Sequence, residues 1–473
     1  MRNTMDYEEV TNRLRTLISK PIRKIDPEKI KFIIKDYDEK RKKSKEHYEL
    51  AKKLIPGGLE HNLSLKWPFP ITMDKAEGAY MWDIDGNRYI DFLSMGGPII
   101  LGHNYPVIRD NIIELIKEKG PGTGVTSEWE TKTIKEIKKH IPSIEKFRFH
   151  QSGTEANISA FRVARTFTGK PYIVKIGGSY HGWSSEMVYD MHIPGTRALE
   201  AHGIPPEHQK WVKACPPNDE KKMKRIFRNA EKKGGVAAVI VEALGGESGT
   251  HPVKPGWNKF LREICDEHGS LLIFDEVVTA FRLSMGGAQE YFDVKPDLTT
   301  FGKIIGHGYP SCGGIGGRED AMAVLAGGIE GVSKKAYTGG TLAANPVTVM
   351  AAYYAIKEIE RTNAVEKSGR AGDRLINEIN QLFEKYELPF VAWNYKSILH
   401  VETGAPLALR MTDPDFLNQL NERKKLMDEF GAALNTQGVN VLAGSRGYTT
   451  LSHTDDIIDT ALMAYDEVLK WFV

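Results

Sequence analysis

Leu271-Leu-Ile-Phe-Asp275-Glu-Val277 and Asp297-Leu-Thr-Thr-Phe-Gly-Lys303 are the stretches on which the fold turns. The first is an apolar run of strand length that ends in a carboxylate. The second is a shorter strand that ends in a lysine, 28 residues after Asp275. Leu271 to Phe274 offers no polar face, so both of its faces must be covered. Val236-Ala-Ala-Val-Ile-Val241 has the same character. Residues 154–168, 220–233 and 257–268 carry helical patterns between such runs. Strand alternating with helix from about residue 145 predicts a parallel sheet with helices on both faces.

The flanks read differently. Residues 1–55 carry two charged helical segments, with Asp26-Pro27-Glu28 as a helix start and Pro56-Gly57-Gly58 as a stop. The alternating charges from Asp36 to Lys45 read as a solvated helix face, with an arm on a partner subunit as the other reading. Ala79 to Asp83 and Arg88 to Phe92 flank Asp85-Gly86-Asn87, a hairpin signal. Beyond about residue 346 come two long helical segments, a β-like stretch over 390–403 and a last helix from Asp455. That is an α+β composition, so a second domain is expected. The expected division is a helical extension over 1–50, the first part of the small domain over 51–105, a large domain over 106–345 and the rest of the small domain over 346–473.

The 473 residues suffice for more than one domain, and 41% hydrophobic with 27% charged residues is ordinary for a globular protein. A net charge of +2 gives no footprint for nucleic acid. No apolar run approaches the ~20 residues that span a bilayer, and the opening residues lack a secretory core. Cys215, Cys265 and Cys312 have no metal-ligand spacing, so no metal is expected and free thiols in a cytoplasm are.

Several strand ends carry chemistry. Ser152-Gly153-Thr154 opens a helix after the strand Phe147 to His150, which suits a phosphate; taken alone it is also a plain N-cap. Tyr180, after a glycine loop, can stack on a planar ring or simply pack, and His181 can hydrogen-bond beside it. Asp275 needs a cation or strong donors if buried. Val277 points to the same side of the chain and can pack on a ring face. Lys303 is the amine, and Thr341, in a second glycine loop, is available to a phosphate. An aldehyde cofactor with a ring nitrogen needs such an amine and such an acid. Ligand sites of α/β folds lie outside the carboxyl ends of strands, where these residues cluster.

Together these stretches resemble the class III (subgroup II) aminotransferases of pyridoxal phosphate (PLP) fold type I, near the branch of glutamate-1-semialdehyde aminomutase. The resemblance rests on Ile55-Pro-Gly-Gly58, Gly78 to Gly86, Gly102-His-Asn-Tyr-Pro106, Ser152 to Ala156, Tyr180-His-Gly182, Ile273 to Val277, Pro296 to Lys303, Gly340 to Pro346 and Leu451 to Ile457, and runs from about residue 50 to the end. It implies a large α/β domain with a mostly parallel seven-stranded sheet sandwiched by helices, plus a smaller α+β domain built from both chain ends. It further implies that Lys303 forms the Schiff base and moves the proton, that Asp275 pairs with the pyridine nitrogen, and that Tyr180 and Val277 flank the ring. Ser152, Gly153, Thr154, His181 and Glu242 belong to the cofactor site, with Thr341 reaching in from the neighbouring subunit of a homodimer.

The departures bear on substrate. The aminomutase pattern has an asparagine where Glu247 stands. A glutamate there is similar to ornithine and 4-aminobutyrate aminotransferases, in which it pairs with an arginine; Arg446 stands at the matching place. The loop Leu59 to Pro70, with Trp67, lacks the aminomutase arginine, and Met95 replaces a tryptophan. The expectation is an aminotransferase passing an amino group from a small amino acid or an ω- or β-amine to 2-oxoglutarate or pyruvate by a ping-pong cycle. An isomerase on the same scaffold, aminomutase or racemase, is the alternative, and a catalytically silent binding protein the reading from another class.

Overall fold

The computed structural model describes residues 6–61, 64–122, 124–197, 201–326 and 334–473. Met1 to Met5, read above for a leader, and two residues of the loop from Leu59 to Pro70 lie outside these. The chain divides into two compact units, one of residues 1–105 with 363–473 and one of residues 106–362.

The second unit holds a seven-stranded sheet in the order Lys146–His150, Gly313–Gly317, Leu298–Gly302, Leu271–Asp275, Val236–Val241, Tyr172–Ile176, Val212–Cys215. Gly313–Gly317 runs antiparallel to both neighbours, and the five strands beyond it are mutually parallel. Val236–Val241 and Leu271–Asp275 are buried throughout, as runs without a polar face must be. The glycines of Gly313–Gly317 have a steric cause: a Cβ on Gly316 would lie 2.7 Å from Ile144 Cγ2 and 2.9 Å from the Phe147 ring. Helix Gly153–Thr168 packs across this strand and Leu298–Gly302.

The first unit holds a four-stranded sheet, Met73–Glu77, Tyr80–Asp83, Arg88–Asp91 and Val439–Asn440, and a three-stranded one, Val391–Tyr395, Ile398–Glu402 and Arg446–Tyr448. Helices Ala364–Lys385, Phe416–Thr436 and Asp455–Leu469 accompany them. The expected hairpin, the strands within 390–403 and the last helix are all present. Phe416–Thr436 is a helix the sequence reading does not contain.

Three expectations need correction. The break falls after Thr362 and not before Pro346, because helix Pro346–Thr362 packs on Glu128–His140 and Pro106–Lys119, with Thr133 Oγ1 donating to Val349 O at 2.8 Å. Its start is as expected: Asn345 Oδ1 accepts from Thr348 N at 3.0 Å. Residues 6–54 form three helices, Tyr7–Ser19, Pro27–Lys40 and Lys42–Leu54, where two were expected. The third is capped from far along the chain, since Asp85 of the hairpin turn accepts from Lys43 N at 2.7 Å and Ser44 N at 3.0 Å.

The charges from Asp36 to Lys45 are also not all solvated. Arg41 is buried, bonding Asp36 at 2.6 Å, Tyr89 Oη at 2.9 Å and Asn435 O at 3.0 Å. Burial together with charge partners makes that network costly to break from one side. The first helices therefore belong to the core of this unit. Arg13 donates to Phe390 O at 3.1 Å, and Val473 N donates to Lys24 O at 3.0 Å.

Candidate active site in the second unit

Strands Leu271–Asp275 and Leu298–Gly302 are parallel neighbours with Asp275 opposite Thr300. Their carboxyl ends therefore present the acid and the lysine on adjacent strands. Asp275 is buried and oriented by three donors. Oδ2 meets Asn157 Nδ2 at 2.9 Å and His181 Nδ1 at 2.8 Å, and Oδ1 accepts from Val277 N at 3.1 Å. Asn157 also donates to His181 O at 3.1 Å, closing a ring of contacts around the acid. Glu276, one residue on, points the other way. Its buried carboxylate caps a turn by accepting from Ala288 N at 2.6 Å.

His181 is fully enclosed, and its pKa is lowered by burial first, with Asp275 opposing. A buried neutral imidazole that gives Nδ1–H to Asp275 keeps Nε2 as an acceptor. Among the described residues His181 Nε2 and Asn157 Oδ1 are buried without a hydrogen-bond partner.

Lys303 follows Gly302 directly, at a left-handed φ of 38°, and its side chain is exposed. A lysine at positive φ carries backbone strain of the kind that collects at functional positions. Gly153 and Gly302 leave a bare backbone floor under Val277. A Cβ on Gly153 would stand 2.7 Å from Val277 Cγ2, and one on Gly302 would stand 3.1 Å from Val277 Cγ1. Ser152 caps the helix by accepting from Glu155 N at 3.2 Å, leaving the N–H groups of the first turn for an anion. Thr154 packs against Gly182, where any Cβ would collide with it. Thr341 is exposed in its glycine loop.

Glu242 braces the rim. It accepts from Tyr180 N at 2.9 Å, Glu247 N at 3.0 Å and Ser248 N at 2.7 Å. Burial, then Glu247 and Asp275, push its carboxyl up to about 8, with the backbone donors opposing. The Tyr180 ring is partly exposed and stacks on His192, centroids 6.0 Å apart and planes at 17°. His192 Nδ1 also hydrogen-bonds Glu247 Oε1. Lys175, fully buried, supports the Tyr180 loop by donating to Ser179 O at 3.0 Å and Met187 O at 2.9 Å.

The structure thus brings Ser152, Gly153, Thr154, Tyr180, His181, Glu242, Asp275, Val277 and Lys303 to the carboxyl edge of one sheet, with Glu247 beside them. Asn157, Lys175 and His192 were not found from sequence. Asn157 alone had a signal, an amide on the buried face one turn beyond Gly153. Trp67, Met95 and Arg446 belong to the first unit. Met95 is exposed at φ 56°, and Lys66, beside Trp67, donates to Asn440 Oδ1. Arg446 opposes the burial that pushes the Glu402 carboxyl up to about 7.

A bare glycine floor, a helix start, an oriented buried acid, an unpartnered imidazole nitrogen and a lysine fit a phosphorylated heteroaromatic aldehyde. Comparisons with known proteins agree. Residues 64–443 match the family described as aminotransferase class-III. Glutamate-1-semialdehyde 2,1-aminomutase of Methanocaldococcus jannaschii is 34% identical over 447 residues, covering 91% of this chain and 99% of that protein. A β-phenylalanine aminotransferase from Variovorax paradoxus superposes with a TM-score of 0.79 at 27% identity, over 93% of this chain and 96% of that one. An omega-transaminase from Sphaerobacter thermophilus does so with a TM-score of 0.79 at 26% identity, over 90% and 97%. The chain belongs to the class-III aminotransferase family, whose cofactor is pyridoxal phosphate.

Proposed function

We propose that the protein is an aminotransferase that moves an amino group from a small amino acid, or an ω- or β-amine, to a keto acid such as 2-oxoglutarate or pyruvate. The carrying observation is Glu247, a buried carboxylate next to Tyr180 and Glu242 where the aminomutase pattern has a neutral amide. A carboxylate that can trade one cationic partner for another lets one pocket serve an amine and a keto acid in turn.

The cofactor, when bound, supplies the electron sink. Lys303 Nζ would hold the cofactor's aldehyde and, once released by the incoming amine, would carry a proton from the carbon bearing that amine to the cofactor. Asp275, fixed by Asn157 and His181, would pair with the ring nitrogen. Tyr180 and Val277 would cover the two ring faces. Ser152, Gly153 and Thr154 would bind the phosphate, joined by Thr341 of a second copy in a homodimer. Among the described residues no helix is long and apolar enough to cross a membrane.

An aminomutase is the second reading, favoured by the 34% identity to the Methanocaldococcus protein. Holoenzyme mixed with one amine at a time, followed by absorbance and product analysis, separates the two. Stoichiometric keto product with the amine form of the cofactor left behind, and its discharge by 2-oxoglutarate or pyruvate, supports the aminotransferase. Isomerisation of glutamate-1-semialdehyde with no keto acid consumed overturns it.

A further inference from the structure

Glu247 has a side-chain partner within its own unit. His192 Nδ1 bonds Glu247 Oε1, and the same imidazole stacks on Tyr180. The histidine is fixed from behind, because His251 Nε2 lies 2.7 Å from His192 O. Its loop is built deliberately: Asp190 accepts from Gly195 N at 2.8 Å and Arg197 N at 2.9 Å. Asp190, His192, Glu247 and Ser248 all hold left-handed φ of 56–57°, backbone that non-glycine residues adopt at a cost. Such strain on both sides of one contact is kept where the contact matters.

Glu247 is also one of three neighbouring carboxylates. Both Glu247 and Asp275 raise the Glu242 carboxyl. A buried Glu247 left without a cation or donor there would be costly and would repel an anionic substrate. The donor it has there must therefore stay in place while a substrate carboxylate enters.

We propose that His192 is that donor: a positioning residue that holds Glu247 while the pocket carries a carboxylate-bearing substrate, and so sets the preference for carboxylates over neutral ligands. This rests on the aminotransferase reading. Its imidazole ties the Glu247 oxygen with one edge and backs the Tyr180 ring with its face, so the same residue keeps the ring-stacking tyrosine and the specificity carboxylate in register.

The two contacts separate by substitution. His192→Phe keeps a ring against Tyr180 and removes the donor; His192→Gln keeps a donor and removes the ring. The holoenzymes are titrated by calorimetry with succinate, a dicarboxylate that cannot react, and with succinamide, its neutral counterpart. KM and kcat for keto acid are measured beside them. His192→Phe is expected to weaken succinate about ten-fold with little change for succinamide, and to raise the keto-acid KM more than it lowers kcat. His192→Gln is expected to recover most of the succinate affinity. In a Glu247→Gln background, His192→Phe should have no further effect on succinate. Wild-type succinate affinity in His192→Phe, no rescue by glutamine, equal losses for succinate and succinamide, or no succinate binding by the wild type would each overturn the inference. A wild type that binds succinate but consumes no keto acid with any amine overturns the aminotransferase reading instead, while the calorimetric comparison still decides what His192 does.

Discussion

Asp275 Oδ2 lies 2.8 Å from His181 Nδ1 and 2.9 Å from Asn157 Nδ2, so the acid at the end of the fourth strand of the sheet is held by two side chains from two other elements. Asn157→Ala removes one donor and leaves the others. We expect cofactor affinity to fall about ten-fold and turnover to fall less, because second-ring contacts orient without reacting. Asp275→Asn is expected to be far worse. Equilibrium dialysis with pyridoxal phosphate and steady-state rates on saturated enzyme separate the two effects.

Lys303→Ala should lower turnover by about 10³-fold or more, since both the attachment and the proton transfer are lost. Borohydride reduction followed by peptide mass analysis should place the cofactor label on Lys303 in the wild type. A label on another lysine would reassign the site.

Gly153→Ala puts a Cβ 2.7 Å from Val277 Cγ2. The overlap should cost about 1–3 kcal/mol or shift the phosphate floor. Pyridoxal phosphate affinity should fall in the single variant and recover in part in Gly153→Ala with Val277→Ala. Additive losses would mean that the two residues do not share that contact.

Glu242 sets a pH signature. Its carboxyl is raised from 4.5 to about 8 in the folded chain, so between those values the folded state holds a proton that the unfolded state has released. Stability from this group is full below about 4.5 and is lost as pH rises toward about 8. Glu242→Gln should flatten that decline by a few kcal/mol. Urea midpoints of wild type and variant at pH 5 and pH 8 supply the comparison, in which parallel declines would contradict the assignment.

Arg41→Ala takes from buried Asp36 its buried cation, leaving only the exposed Lys40, and takes from Tyr89 its guanidinium donor. The destabilisation should reach about 3 kcal/mol, whereas an exposed pair such as Lys31–Glu28 is worth well under 1 kcal/mol. Denaturant unfolding of the two alanine variants tests the contrast.

Much of the large unit was legible in the sequence because its signals are local. The runs Val236 to Val241 and Leu271 to Phe274 have one possible environment, and Asn345-Pro346 carries its own helix start. Asp275 and Lys303 were proposed because strand ends are where an α/β sheet exposes chemistry. The charges around Arg41 misled, because alternating charge looks alike on a solvated face and over a buried network. Helix Lys42–Leu54 was missed as a separate element because its cap, Asp85, is 42 residues away from Lys43.

By itself the sequence determined the alternation of strand and helix, the order of the motifs and the chemical types at the site, all properties of short stretches and their spacing. Tertiary structure alone decided that Asn157 and His181 grip Asp275, that helix Pro346–Thr362 joins the large unit, and that His192 meets both Tyr180 and Glu247. Those pairings join segments far apart in the chain, and their geometry is set by packing and by the need of each buried polar group for a partner, which no local pattern encodes.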